Sequence, residues 1–436
     1  MKRLHVGVSV LGAGALLVAG FLLLRDGDGG VPPRDHLAVA ATVIRPNVLV
    51  DAQGTVIEEL TGDCTPRRYP YVCMRVKSEL GEQLLARGGL TIRTTIDPRM
   101  QQAAQQAIDR YVGRDDKPLA AQVMIVPGTG EIRAMATSQV PVKVPAFQQG
   151  TTAMVYTLTA ALEGGMRYDD GFPYADGYRA PRYSAFKNCK GENIGDPTHT
   201  ITNPKRDHGE FTTLRSGTSA AENTFFMKLT EQAGLCESVQ AAKRLGLNRG
   251  DGMPIREFEA FPLGINEVDP VSVANSYATL AARGKHCEPR LVTEVRDGAF
   301  LRSFAAQCQE VLEPPVADAV NGVLSEALSG SPLKGLGRDA AGMEGTVDSF
   351  TAAWYAGYTP DLASAVALGD PRDPQQHRLS DVTLGGRHYQ DVYGMSVPGP
   401  IWKSSMEAAL TDIPETAFVK PDAGRFGGCR DHCARS

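Results

Sequence analysis

Two groups of residues in this sequence have the types and spacing to do chemistry. The first is a pair of hydroxyls, Thr151 and Thr152, at the head of the apolar run Gly150-Thr-Thr-Ala-Met-Val-Tyr-Thr-Leu-Thr-Ala-Ala-Leu-Glu163. A hydroxyl becomes a nucleophile when a base lies within reach. Residues three apart on a helix share a face about one turn apart, so an amine at that spacing could take the proton. Three residues after Thr151 stands Met154, and a thioether is no base. The plainer role for either Thr is to cap the helix, which Ser and Thr favour. The second group is eight cysteines: Cys64, Cys73, Cys189, Cys236, Cys287, Cys308, Cys429 and Cys433. An even count in a chain sent across a membrane suits disulfides in an oxidising compartment. Sequence does not fix connectivity, but near neighbours suggest Cys64–Cys73, Cys189–Cys236, Cys287–Cys308 and Cys429–Cys433. The tail Cys429-Arg-Asp-His-Cys433 could also be read as a metal knuckle. Two Cys and one His without a second pair nearby favour a disulfide there, so no metal site is expected.

These groups need a scaffold, and 436 residues supply one large domain or two unequal ones. Composition is that of a globular protein, 42% hydrophobic and 22% charged. A net charge of −5 gives no electrostatic case for nucleic acid. Nothing calls for a cofactor. Met1-Lys2-Arg3 precedes a run of about twenty mostly apolar residues, His5 to Leu24, long enough to span a bilayer as a helix. Lys2 and Arg3 favour a cytoplasmic N-terminus, with the bulk of the chain extracytoplasmic in a single-pass arrangement. A cleaved signal peptide is the alternative, with small residues at Ala38-Val-Ala40 lying well beyond the apolar run.

Residues 27–46 are rich in Gly and Pro and read as a tether. Asn47 to Ile57 carries two β-prone runs around Asp51-Ala-Gln-Gly54, a hairpin signal. Apolar spacing predicts a helix over 69–80, and a strand is predicted within 87–98. An Ala- and Gln-rich helix over 99–112 follows the cap Asp97-Pro98. Residues 120–138 give a second hairpin, turning at Pro127-Gly-Thr-Gly130. Arg167 to Phe211 is loop, either a surface insertion or one wall of a cleft. Leu214 to Ala233 reads as helix.

Several stretches, in one order, resemble the transpeptidase domain of bifunctional, class A penicillin-binding proteins. "RGGLTIRTTIDPRMQQAAQQAI" is similar to the linker that enters that domain, and Tyr156-Thr-Leu-Thr-Ala-Ala-Leu-Glu163 resembles the helix carrying Ser-x-x-Lys. Asn223-Thr224 with its following aromatic resembles the second motif, Ser-x-Asn-Thr. Ala353-Trp-Tyr-Ala-Gly-Tyr-Thr-Pro360 and "YGMSVPGPIW" resemble later scaffold segments. The resemblance spans roughly residues 67 to 410. It implies an α+β fold of the serine transpeptidase and β-lactamase type, an antiparallel sheet flanked by helices, behind an N-terminal transmembrane helix. The implied domains are an anchor at 1–26, tether and linker at 27–90, the transpeptidase-like domain at 91–412, and a tail with a Cys pair at 413–436. Class A proteins carry a glycosyltransferase between anchor and linker; residues 27–86 are too few for one, so its absence is expected.

Carried over position by position, the resemblance implies a dismantled site. Thr151 takes the place of the nucleophilic Ser and Met154 that of its Lys. Ala221 replaces the Ser of the second motif while Asn223 is kept. In the third motif, Lys-Thr-Gly-Thr becomes Met343-Glu344-Gly345-Thr346. Ser219 lies two residues from the second-motif Ser position, about 200° away on a helix. Loss of general-base help alone typically removes about 10²–10⁴-fold in rate. Glu344 also sets an anion where the family receives a ligand's carboxylate. Three functions remain open. One is a membrane-anchored, catalytically inactive member that scaffolds or senses, with peptidoglycan stem peptides or other cell-wall proteins as partners. Another is an acyl transferase, of the D,D-transpeptidase type, using Thr151 with Glu222 or Glu344 as base. The last is a structural subunit whose cleft is filled by Met154 and Met343 and whose function lies on another surface.

Overall fold

The computed structural model describes residues 45–60, 64, 68–203 and 209–434. The apolar run 5–24, expected to cross a membrane, lies outside them. Among the described residues no helix is long and apolar enough to cross a membrane.

The described residues begin with a hairpin, β1 (Asn47–Val50) and β2 (Val56–Leu60), turning where the Asp-Ala-Gln-Gly signal predicts. Asp51 makes the turn by accepting the N–H groups of Gln53 (2.9 Å) and Thr55 (2.8 Å). Helix α1 (Pro70–Leu80) leads to β3 (Thr91–Thr94) and then α2 (Pro98–Tyr111). Helix α2 starts where its cap requires: the Asp97 carboxylate accepts from the N–H groups of Arg99 and Met100, and Pro98 follows at the first helical position. The second hairpin is β4 (Leu119–Val126) and β5 (Glu131–Thr137), with Gly128 and Gly130 both at φ 70° in its turn.

A 3₁₀ turn over Gly150–Ala153 opens α3 (Met154–Glu163). The run Leu214–Ala233, expected as one helix, is two: α4 (Leu214–Ala220) and α5 (Asn223–Ala233). Ala221 breaks it in the left-handed region at φ 47°. The N–H of Glu222 returns to the Gly217 carbonyl (3.0 Å) and that of Ala221 to Thr218 (3.1 Å), a closed helix end. The break lets the Phe225 ring lie against Gly217, where an added Cβ would collide with the ring. Ala221 therefore lies beyond the end of the helix that carries Ser219, so the 200° separation expected for the two on one helix does not apply.

Next come α6 (Pro270–Ala281), capped by Asp269, then β6 (Val292–Asp297), β7 (Phe300–Ser303) and α7 (Pro314–Ser329). Strands β8 (Ala341–Thr346), β9 (Ala352–Tyr358) and β10 (Ala363–Gly369) precede α8 (Pro398–Ala409). The central sheet has the order β8-β9-β10-β4-β5, every pair antiparallel. Strands β9 and β10 are buried along their whole length, so both faces of the sheet are covered. Helices α2 and α8 cover one face; α6 and α7 cover the other. The close approach of α8 needs Gly357, since a Cβ there would come 2.6 Å from the Trp402 ring. A second, mixed sheet, β7-β6-β3-β1-β2, joins the entering segment to strands from deep in the chain.

All four suggested cysteine pairs form disulfides: Cys64–Cys73, Cys189–Cys236, Cys287–Cys308 and Cys429–Cys433. Asp170 lies close enough to Cys429 and Cys433 to suggest a cation site on distance alone, but the two sulfurs are bonded to each other. The buried Asp170 carboxylate instead anchors the tail. Its Oδ1 accepts N–H groups from Arg430 (2.7 Å), Asp431 (3.0 Å) and His432 (3.3 Å), and Oδ2 accepts from Arg167 (2.8 Å). Burial alone would raise this carboxyl, but the backbone donors outweigh it and hold its pKa below the ordinary range. Because the folded pKa is depressed, this contribution is present above the unfolded carboxylate pKa and is lost as pH falls through the folded value. Asp170→Asn should therefore cost about 1–3 kcal/mol and free residues 427–434 to protease at neutral pH. An unchanged melting temperature and a protected tail would contradict this.

Candidate active site

The 3₁₀ turn is wedged between α6 and the outer edge of β8. From α6, the Tyr277 hydroxyl donates to the Thr152 carbonyl (2.9 Å) and Ser276 pairs with the Tyr156 hydroxyl (2.9 Å). Gln149 donates to the same Tyr156 hydroxyl (3.0 Å), while the Thr152 hydroxyl donates to the Gln149 carbonyl (2.9 Å). Burial pushes the Tyr156 phenol up to about 12, against the opposing pull of its bonds to Ser276 and Gln149, so it is a fixed neutral pin. Gly150 takes φ 62°, and a Cβ there would stand 2.9 Å from the Thr346 carbonyl carbon. Gly264 is as tightly placed, since a Cβ there would collide with the Gly150 backbone. Gly150→Ala should cost at least about 1–3 kcal/mol through left-handed strain and collision with β8. Chemical denaturation measures this; a neutral substitution would mean that the turn is not clamped.

Thr151 stands at the edge of β8, which has no neighbouring strand on that side among the described residues. Its hydroxyl donates to the Glu344 carbonyl (3.0 Å) and lies 3.4 Å from the Thr346 N–H, so one side chain occupies both outward backbone groups. Met154, the first residue of α3, has no exposed surface. Along β8 the side chains alternate. Met343 and Gly345 face inward, and Met343 is 4% exposed within the same hydrophobic cluster as Met154. Gly345 must be glycine: a Cβ would meet the Gln149 carbonyl at 2.7 Å and the Thr152 methyl at 2.9 Å. Glu344 and Thr346 face the other way, toward Gly394, whose N–H donates to the Thr346 hydroxyl (3.0 Å). Burial, and then the nearby Glu344 carboxylate, raise the Tyr355 phenol above its ordinary value.

The second-motif positions sit apart from this contact. Ala221 occupies the break between α4 and α5. Asn223 begins α5, 3% exposed, and its side-chain amide donates to the Thr202 carbonyl (3.1 Å). No hydrogen bond among the described residues joins Ala221 or Asn223 to Thr151. The Glu222 carboxylate accepts from the hydroxyls of Thr212 and Thr224, both at 3.1 Å. Thr224 is further held by Asn203, which accepts its N–H (2.9 Å) and donates to its hydroxyl (2.9 Å). Sequence reasoning missed Asn203 and Thr212, which lie in and just after the loop 167–211; only the pairing of that loop with α5 reveals them. The structure thus brings together Thr151, Glu344, Gly345 and Thr346, seats Met154 and Met343 in the core beside them, and leaves Asn223 bonded to the loop.

No protein-family model matches the chain. Over 372 residues, 80% of this chain, it is 29% identical to penicillin-binding protein 1A of Mycobacterium tuberculosis. Over 378 residues it is 28% identical to penicillin-binding protein 1A of Mycolicibacterium smegmatis. The chain spans 43% and 45% of those two relatives, less than half their length. Among solved structures, it superposes on the M. tuberculosis penicillin-binding protein PonA1 with a TM-score of 0.67 at 23% identity, covering 84% of this chain and 95% of that one. The D,D-transpeptidase domain of a peptidoglycan glycosyltransferase from Eggerthella lenta gives 0.61 at 17% identity, covering 84% and 98%.

Proposed function

For a chain whose homologues are penicillin-binding proteins and whose fold is that of their transpeptidase domain, we infer a membrane-anchored pseudo-transpeptidase: a domain of cell-wall biology that scaffolds or senses and does not turn over substrate. One observation carries this reading. The residue one turn after the hydroxyl at the nucleophile position is Met154, sealed in the core against the cluster that also holds Met343. Acyl transfer needs an activated nucleophile and donors free to stabilise an oxyanion. The proton of Thr151 goes to a backbone carbonyl, and the Thr346 N–H points at the Thr151 oxygen. The rival in which Glu222 or Glu344 activates Thr151 needs a carboxylate on that hydroxyl, and the bond it makes is to backbone. The two buried methionines speak against ligand sensing at this site and equally suit a structural subunit whose function lies on another surface. Residues 5–24 would hold the domain at the membrane, with stem peptides or cell-wall proteins as partners.

Replacing Thr151 by Ala in the chromosomal copy tests the assignment. The cross-linked fraction of the peptidoglycan should match that of the unaltered strain, whereas a fall in cross-linking would show that Thr151 works as a nucleophile.

A further inference from the structure

The mixed sheet carries the chain's entry and an exposed apolar hairpin tip on one and the same edge. We propose that this edge rests on the lipid bilayer, with Phe300 and Leu301 seated in its interface. The proposal rests on the reading of residues 5–24 as a membrane anchor.

Strand register makes the placement. β1 and β3 run parallel, with Val48 beside Thr91 and Val50 beside Arg93. β6 runs against β3, with Arg296 beside Thr91 and Val292 beside Thr94. β7 runs back along β6, with Phe300 beside Asp297. The first residue of β1, the first of β3 and the tip of the β6–β7 hairpin therefore share one edge. The opposite edge holds Val50, Thr94, Val292 and, across the first hairpin, Val56. At about 4.8 Å per strand, the hairpin tip lies about 14 Å along the edge from the strand where the chain enters.

The composition of that edge suits a lipid surface. Phe300 is 65% exposed and Leu301 45% exposed, on an outermost strand with no buried residue. An isolated exposed apolar residue means little, but here two stand at the hairpin tip, one on each face of the outermost strand. Arg45, Arg87 and Arg296 are exposed along the same edge. The Gly89 N–H donates to the Arg45 carbonyl (2.9 Å), which brings the Arg87 turn beside Arg45. Asp297 and Glu59 are the acids there, and Glu294 is paired with Arg296 (3.3 Å). Arginines and acids balance along this edge, so the contact rests on the apolar tip, with Arg45 and Arg87 placed to meet lipid phosphates. Chain length allows it too. Residues 25–44 cannot carry the domain further than about 70 Å from the end of the apolar run even if fully extended, and β1 is the first strand they reach.

Phe300→Trp in the full chain, reconstituted into vesicles of phosphatidylcholine and phosphatidylglycerol with brominated acyl chains, reads this contact. The chain's two tryptophans, Trp354 and Trp402, are fully buried, so the added indole is the accessible reporter. Its emission should fall by at least half relative to unbrominated vesicles. Val56→Trp, at a position 62% exposed on the opposite edge of the same sheet, should be unaffected. Flotation of the protein with the vesicles is measured alongside. An unquenched indole in Phe300→Trp protein that floats overturns the proposal while leaving the anchor standing. Protein that does not float overturns both.

Discussion

Of the single reversions Thr151→Ser, Met154→Lys, Ala221→Ser, Met343→Lys and Glu344→Thr, none should be labelled by fluorescent penicillin, while the variant carrying all five should gain detectable labelling. Each missing group costs rate separately: general-base help is typically worth about 10²–10⁴-fold, and an oxyanion donor about 10²–10³-fold. Groups that act as a unit recover little when restored one at a time. The structure adds a reason specific to this chain. Met154 and Met343 lie in one hydrophobic cluster, so a lysine at either place alone would bury an ammonium among apolar side chains. Restoring Ser at 151 frees the Thr346 N–H only if its hydroxyl turns away from the strand edge, and that rotation is part of the expected gain. Labelling by Thr151→Ser alone would show that a base is already present and that the site is not dismantled.

Loss of the Cys189–Cys236 bridge should have the largest effect on stability. It closes a separation of 47 residues, which loop-closure entropy makes worth about 4 kcal/mol, against about 2 kcal/mol for the four-residue separation of Cys429–Cys433. The bridge ties the loop 167–211 to the helix after α5, and the same loop supplies the acceptor for Asn223. Replacing Cys189 and Cys236 by Ala should lower the denaturation midpoint more than replacing Cys429 and Cys433. The unmodified, unreduced protein should show no free thiols, because all eight cysteines are paired. The reverse order of the two double variants would mean that the loop is held by other contacts.

Local signals placed the elements that carry their own punctuation. Asp97-Pro98 capped α2 where predicted, the Gly-rich turn at 127–130 joined β4 to β5, and spacing alone paired the cysteines. The break at Ala221 was not legible, because alanine is a strong helix former and nothing marks it for a left-handed conformation; the packing of Phe225 on Gly217 imposes it. The mixed sheet was invisible for another reason. Its strands come from residues 47–94 and 292–303, and long-range pairing leaves no local trace. At the site, the family resemblance pointed to Thr151, Met154 and Met343 to Thr346, which lie in the 3₁₀ turn, at the head of α3 and at the end of β8. It could not say that the Thr151 hydroxyl bonds the strand edge, or that Asn223 turns to Thr202, since both are matters of where loops fold back.

Covalent capture by a β-lactam is the most direct test that the site is silent. Penicillin V, a β-lactam, is the probe. The unmodified chain, incubated with penicillin V and weighed intact by mass spectrometry, should keep its mass. An added penicilloyl mass, absent from the Thr151→Ala variant, would make Thr151 a working nucleophile and contradict the account.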